Sequence, residues 1–423
     1  MRRALTGLSF ICAACVAAGC GSKDSRTVLH FWALGREGEV VQELLPEFER
    51  LHPDIRVEVE QLPWNAAHEK LLTAVAGDSM PDLCEIGNSW IPEFAALRSL
   101  APLQRRVAGS RAIDAADYFG GIWDSNMVGT DLYGVPWYVD TRLLFYRKDL
   151  LAAAGFAAPP ANWPEWLTVL GAIKQRGDGQ RFGVLLPLSE YDPLIALALQ
   201  QSEPLLRDHD TRGNFANSEF ERTFAFYVDM FRRGYAPAVR DSDISNVWTE
   251  FGRGYFAFYV SGPWNIGEFE RRLPPALDGR WMTAPLPGPA GPGASIAGGS
   301  SLAVFRGSKH QDAAWQLVEY LSQPGVQQRF HALTGDLPPR RSAWASSDLA
   351  RDPYAAAFRD QLERVKARPK VAEWERIATE IQLVTERVVR GELTPHDGAL
   401  ELDARTDAIL AKRRELLAAG ASL

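Results

Sequence analysis

The 423-residue chain is poor in cysteine: it has four, and Cys12, Cys15 and Cys20 all fall within its first twenty residues. Cys84 is left alone in the body of the chain, so no disulfide can form there. Placed between Leu83 and Glu85-Ile86, Cys84 reads as a small buried hydrophobe at a strand end, and no partner histidine marks it as a catalytic thiol. Histidine is scarce too. The seven, at 30, 52, 68, 209, 310, 331 and 396, form no HExxH or similar cluster, so the sequence calls for no metal and no other cofactor. Positive charge is not in surplus: 46 Lys and Arg face 53 Asp and Glu, and with no basic stripe this argues against nucleic acid as a partner. Gly177-Asp178-Gly179 is a turn rather than a phosphate loop, and the chain has neither an internal repeat nor a low-complexity linker. The apolar stretch near the start is too short for a stable membrane span, which takes about 20 residues.

What the first residues do have is the layout of an export signal over 1–19. Met1-Arg2-Arg3 precedes apolar Leu5, Leu8, Phe10 and Ile11, and small residues lead to Cys20. Val16-Ala17-Ala18-Gly19-Cys20 matches a bacterial lipobox, in which the cysteine becomes the new N-terminus and carries lipid; residues 20–27 then form a short polar tether. The expectation is a cell-envelope protein, on the periplasmic side and lipid-anchored to a membrane through Cys20. Cleavage there leaves 404 residues with 44 basic against 53 acidic, enough chain for two or three domains or one large bilobal body.

Strand and helix patterns alternate from the start. Val28–Trp32 is a strand candidate. Val40 to Leu51 has helical apolar spacing, and His52-Pro53-Asp54 stops it. Ile55–Val59 alternates as a strand, Ala66–Ala76 reads as helix, and Leu83–Ile86 as a third strand. This rhythm builds an open parallel sheet with helices on both faces. Farther on, Leu143–Tyr146, Phe182–Leu186 and Ser301–Phe305 are strands, while Trp163–Ile173, Glu219–Phe231, Gln311–Leu321 and Val371–Val389 are helices. Tyr255–Val260 has almost no polar residue and is expected to be buried on both faces.

Aromatics are plentiful, with 13 Trp, 11 Tyr and 20 Phe. Trp32, Trp64, Trp90, Trp137, Trp163, Trp248, Trp264 and Trp281 sit beside Pro, Gly or Asn at the ends of the expected elements. Core packing is the ordinary role of each one. Together they matter because ligands of open α/β sheets bind at the carboxyl ends of strands. A pyranose suits such a place: its C–H faces lie on aromatic rings, and its hydroxyls need fixed polar partners. Asp82, Asn88, Asp140, Arg142, Glu190 and Arg340 occupy suitable loop positions.

Several blocks resemble the bacterial extracellular solute-binding proteins of ABC importers, family 1, in particular the maltose- and trehalose-type sugar-binding lipoproteins. They are Leu29-His30-Phe31-Trp32, Phe48 through Val57, Met80-Pro81-Asp82-Leu83 before Trp90, and Leu132 through Leu151 with its Tyr133-Gly134-Val135-Pro136 opening. Ser261-Gly262-Pro263-Trp264, Ile296 through Ser300 and Leu337-Pro338-Pro339-Arg340 follow in the family's order. The resemblance implies an α/β, bilobal periplasmic-binding-protein fold of type II: two open mixed or parallel sheets flanked by helices, with a ligand cleft between the lobes. It places an N-lobe at 28–135 that takes back a segment near 280–340, a C-lobe at 136–279, and a helical region at 341–423 packed mainly on the C-lobe.

It further implies a binding role without catalysis, for a monomer that captures a di- or oligosaccharide and delivers it to permease subunits in the inner membrane. Trp32, Arg36 and Glu37 would form one wall, extended by Asn65 and Asn88. Asp140 and Arg142 would bond hydroxyls or brace those that do, with Glu190 as a further acceptor. Trp248 and Trp264 would supply rings from the other lobe, the Gly298-Gly299 backbone would approach the sugar, and Arg340 would span cleft and sugar. The alternatives are a glycerol-phosphate ester or other polyol as ligand, and a glycoside hydrolase. The hydrolase lacks a visible carboxylate pair at neighbouring strand ends and the eight-fold repetition of a barrel.

Overall fold

The structure, a computed structural model, describes residues 25–177, 179–345 and 348–420. The export signal and the lipobox with Cys20 lie outside them. Nine strands form two sheets. The first comprises β1 (Thr27–Leu34), β2 (Ile55–Leu62), β3 (Leu83–Gly87), β4 (Val135–Asp140) and, far along the chain, β9 (Gly298–Val304). The second comprises β5 (Leu143–Arg147), β6 (Phe182–Leu185), β7 (Phe256–Ser261) and β8 (Trp281–Ala284). In the first sheet β1 runs parallel to β2 and β3, and β9 lies antiparallel to β3 and β4, giving the order β2-β1-β3-β9-β4. In the second, β7 is parallel to β6 and antiparallel to β5, in the order β8-β5-β7-β6. The expected pair of open mixed sheets flanked by helices is what is found.

The sheet boundaries differ from the sequence expectation in two places. Val135–Asp140 does not open the second unit at residue 136; β4 closes the first sheet, and the chain crosses between Asp140 and Leu143. Trp281–Ala284 pairs with β5, so the return to the first sheet begins with β9 rather than near 280. The helix expected over 40–51 is also divided. One helix covers Gly35–Val40, a single 3-10 turn Val41–Glu43, and a second helix Leu45–Leu51. Pro46 explains the break: it has no N–H to give the preceding turn, and it sits where a proline is tolerated, at the start of the second helix.

Elsewhere the apolar pattern specifies the packing. All six residues of β7 are buried; Ala257, Phe258 and Val260 join one core cluster, and Phe256 and Tyr259 another. The helix Ser218–Arg232 starts at Asn217, whose Oδ1 accepts from the Glu219 and Phe220 amides at 2.9 Å. Its Phe220, Phe224 and Tyr227 share a cluster with Trp374, Ile377, Ile381, Val384 and Val388 of the helix Trp374–Val389. Cys84 is fully buried in β3 beside Leu71 and Ile86, and burial pushes its thiol far up.

Arg340 ties remote segments together. Its side chain is 9% exposed and donates to Asp117 Oδ2 and to the carbonyls of Ala112 and Ser322, each at 2.7 Å. The paired guanidinium and the Ser342 hydroxyl hold Asp117 below the usual carboxylate range against the opposing effect of burial. Arg340→Ala would leave the Ala112 and Ser322 carbonyls without this donor and Asp117 without its counter-ion, held by Ser342 alone among the described residues, so we expect a loss of about 3–5 kcal/mol in urea unfolding. A loss under about 1 kcal/mol, the level of exposed pairs, would contradict this role.

Candidate functional site

Between the two sheets lies a cavity of about 420 Å³, within the range of small-molecule sites of about 300–1,000 Å³. The first unit supplies, among others, Glu37, Trp64, Asn88, Trp90, Tyr138, Asp140, Gly298, Gly299 and Asp336; Pro263, Trp264 and Arg368 join them. Two tryptophans are open to solvent from the two units, Trp64 at 38% and Trp264 at 39%. Among the described residues few large apolar side chains are so exposed, and these two share one cavity.

Each wall is braced from behind. Trp64 begins the helix Trp64–Ala76, meets Trp90 edge to face with ring centroids 5.8 Å apart, and donates from Nε1 to Glu37 Oε2 at 3.3 Å. Tyr138 on β4 donates its hydroxyl to Glu85 Oε1 at 2.9 Å, and the Leu34 amide donates to Glu85 Oε2 at 2.7 Å. Glu85 is wholly buried, and burial with the nearby Glu37 charge raises its carboxyl well above the ordinary range. Opposite, Trp264 lies across Gly262 so closely that a Cβ there would overlap its ring. At the floor, Gly299 has φ +119° and Gly298 packs against the Asp140 carbonyl, so a side chain on either would collide with β4.

An ion network forms the base. Arg142 Nη1 donates to both oxygens of Asp140 at 2.7 and 2.8 Å, and its Nη2 to Asp192 Oδ2 at 2.9 Å. Arg368 Nη2 donates to the other oxygen of Asp192 at 2.6 Å. The Arg142 guanidinium also sits 4.8 Å from the centre of the Trp264 ring, a cation–π contact that fixes the ring's place. Burial raises the Asp140 carboxyl, opposed by Arg142; Asp192, held by both arginines against the effect of burial, is lowered. The Nε atoms of Arg142 and Arg368 are buried without partners. Asp336 is likewise buried, and burial, the Glu37 charge and a side-chain hydrogen bond shared with Glu37 drive its carboxyl well above the ordinary range, toward the neutral form.

Of the residues expected to form a site, Glu37, Asn88, Asp140, Trp264, Gly298 and Gly299 come together on this cavity. Asn88 has both Nδ2 donors engaged, with Ser125 Oγ and the Ala297 carbonyl at 2.9 Å, which fixes its amide at the cavity wall. Arg142 lies directly beneath the lining, and Glu190 is 3.9 Å from it. The others are placed elsewhere. Trp32 packs under Lys70 and beside Trp90, Arg36 donates to the Leu333 carbonyl at 3.0 Å, and Asn65 is exposed. Trp248 donates to Asn265 Oδ1 at 2.8 Å and stacks on Arg272, so it braces the Trp264 helix from outside the cavity. Arg340 does not reach the cleft, because its guanidinium is spent on Asp117, Ala112 and Ser322. Trp64, Trp90, Tyr138, Asp336 and Arg368 line the cavity outside the expected set. Trp64 and Trp90 carried a signal as tryptophans at element ends; Asp336 and Arg368 carried none.

The family model for bacterial extracellular solute-binding proteins matches residues 32–328. Among solved structures, the chain is similar to the sugar-binding protein MalE from the phytopathogen Xanthomonas citri: 57% identity, 92% of this chain and 99% of that one covered, TM-score 0.90. It is also similar to the GacH receptor of Streptomyces glaucescens, solved unliganded and with acarbose: 26% identity, 91% and 99% covered, TM-score 0.77. Among curated proteins it is similar to the diacetylchitobiose binding protein DasA of Streptomyces coelicolor, 23% identical over 366 residues, 85% of this chain and 84% of that one.

The network makes stability depend on pH through Glu190. Burial pushes its carboxyl from 4.5 up to about 7, opposed by Arg142 and aided by Asp241, Asp192 and Asp140. Between these values the folded chain keeps a proton that the unfolded chain has released. Stability from this group is therefore full below pH 4.5 and is lost as pH rises through about 7. Melting temperatures from pH 4.5 to 8 should fall less steeply for Glu190→Gln than for the parent; superimposable slopes would contradict the assignment.

Proposed function

The chain belongs to the bacterial extracellular solute-binding proteins, and from that premise we propose that it is the sugar receptor of an ABC importer. It captures a di- or oligosaccharide, a glucoside of the maltose or trehalose kind, and passes it to the permease. Lipid on Cys20 keeps it at the membrane on the periplasmic side. The observation that carries this reading is the pair of exposed rings, Trp64 and Trp264, presented from the two units to one cavity that also holds Glu37, Asp140 and Asp336. Rings of this kind accept the C–H faces of a pyranose, and fixed carboxyls accept its hydroxyls. The Arg368 guanidinium on the lining and the peptide groups about Gly298-Gly299 add donors.

Capture is reversible and needs no bond-making step. The two units hold the sugar first by one wall and then close about the crossing segments, the hinge movement typical of periplasmic binding proteins. The sugar-binding name of the Xanthomonas citri relative and the acarbose complex of the Streptomyces glaucescens receptor support the substrate class. The carboxyl-rich lining weighs against an anionic ester, since three carboxyls line the cavity with one guanidinium.

Titration calorimetry of the purified protein against maltose, trehalose, longer glucosides, mannitol and glycerol phosphate tests the reading. At least one disaccharide should bind with Kd near or below about 1 μM, equivalent to about −8 kcal/mol. Binding of glycerol phosphate alone would overturn the sugar assignment. Trp264→Ala should weaken the disaccharide by at least about tenfold, the loss of a stacking surface and its cation–π support. The variant should still melt in one cooperative transition, because the ring lies at the edge of the cleft and 39% exposed rather than in the core; undiminished affinity would remove Trp264 from the site.

A further inference from the structure

Behind the cleft lies a second cavity, larger at about 590 Å³. Its chemistry is opposite to that of the cleft. Four cations reach it from separate parts of the chain: Arg98 after the helix Ile91–Ala96, Arg306 after β9, Lys370, and Arg413 near the end. One carboxylate lines it, Asp131, and that group already accepts from Gln104 Nε2. The chain as a whole has a net charge of −7, so a convergence of cations is not a consequence of composition.

The cations are also under-paired. Arg98 has no carboxylate partner among the described residues, and it holds φ +54°, a left-handed backbone that glycine would take without strain. Arg306 is anchored only by Nε, to the Leu100 carbonyl at 3.4 Å. Arg413 faces Glu373 at a loose 3.8 Å, and its Nε is buried with no partner. Lys370 alone has a close carboxylate, Asp124 at 2.8 Å.

We propose that this cavity is a binding site for a small oxyanion of the phosphate class. Guanidinium forks match the oxygens of such an anion, and several donors arriving from different directions suit a tetrahedral group better than a single planar carboxylate. The site is coupled to the cleft through one short segment. A constriction lined by Asn88, Ser89, Pro92 and residues 367–370 separates the two cavities; Arg368 lines the cleft and Lys370 the second cavity. An anion held at Lys370 acts on the same four residues that place Arg368, so occupancy of either site changes affinity at the other, reciprocally.

Titration calorimetry of the purified protein with inorganic phosphate, at ionic strength held constant with chloride, tests the site without reference to any sugar. One saturable site is expected, weakened at least about tenfold in Arg98→Ala/Arg306→Ala, the loss of charge-assisted hydrogen bonds, and unchanged in Trp264→Ala. No saturable heat, or equal affinity in the double variant, overturns the proposal. Loss in Trp264→Ala as well would place the ion in the cleft and overturn it too. Arg98→Ala alone, at an exposed position, controls for misfolding and should give a smaller loss with an unaltered melting temperature. The coupling rests on the sugar reading of the cleft: disaccharide affinity should change with phosphate in the parent and not in the double variant. A protein that binds phosphate but no disaccharide would sink that reading while leaving the anion site standing.

Discussion

The Arg142 guanidinium is the node on which the rest depends. It leaves the chain just after β4, where the backbone crosses from the first sheet to the second, and it holds Asp140 on one side and Asp192 on the other. Its own carbonyl accepts from Ser295 Oγ at 2.6 Å, on the strand that returns toward β9. One residue therefore touches both crossings, by its side chain at the first and its backbone carbonyl at the second, and Asp192 extends the contact to Arg368. Desolvating so many charges is expensive, and a buried network of this kind is weak evidence for added stability. What it supplies is position: the Asp140 oxygens are turned to a fixed place, and Trp264 is held over the guanidinium.

From that node the two faces of the cleft acquire different tasks. The first unit presents carboxyls backed by a wholly buried layer, in which Glu85 fixes the Tyr138 hydroxyl and the Leu34 amide. The second presents a ring on a bed of glycine, with Asn265 and Ser261 bonded beneath the start of its helix. Buried acceptors and donors left unpaired each cost about 1–3 kcal/mol. Glu37, Asp140, Asp336 and Arg368 on the lining are therefore the residues by which such a cleft would tell one hydroxyl pattern from another. Among the described residues no group of His, Cys, Asp and Glu is arranged to hold a metal, and membership of a solute-binding family accords with transport rather than turnover.

Much of this was legible in the sequence where a pattern repeats. The stripe Phe220, Phe224, Tyr227 and the unbroken apolar β7 settled helix and strand; of the eight tryptophans at element ends Trp64, Trp90 and Trp264 line the cleft, while Trp137, Trp163 and Trp281 are buried in the core. Edge elements were harder to see. Val135–Asp140 contains Pro136, which reads against a strand, yet β4 lies at the edge of its sheet, where a missing N–H does no harm. Trp281–Ala284 is four residues long and also at an edge. Arg340 illustrates the converse. It follows Pro338-Pro339 in a segment that resembles a cleft loop, but its partners Asp117 and Ala112 are more than 200 residues away, so only the folded chain shows it as a clasp. Arg368 is brought to the cleft by Asp192, 176 residues away, and no local spacing announces that.

The central claim is that the Arg142 network sets a sugar between rings of the two units. A crystal structure of the protein with a bound disaccharide tests it most directly. The account predicts a pyranose ring against Trp264, its hydroxyls within hydrogen-bond distance of Asp140 and Asp336 or Arg368, and the bidentate Asp140–Arg142 pair intact. A sugar lying away from Trp264, or one that displaces Arg142 from Asp140, would contradict it.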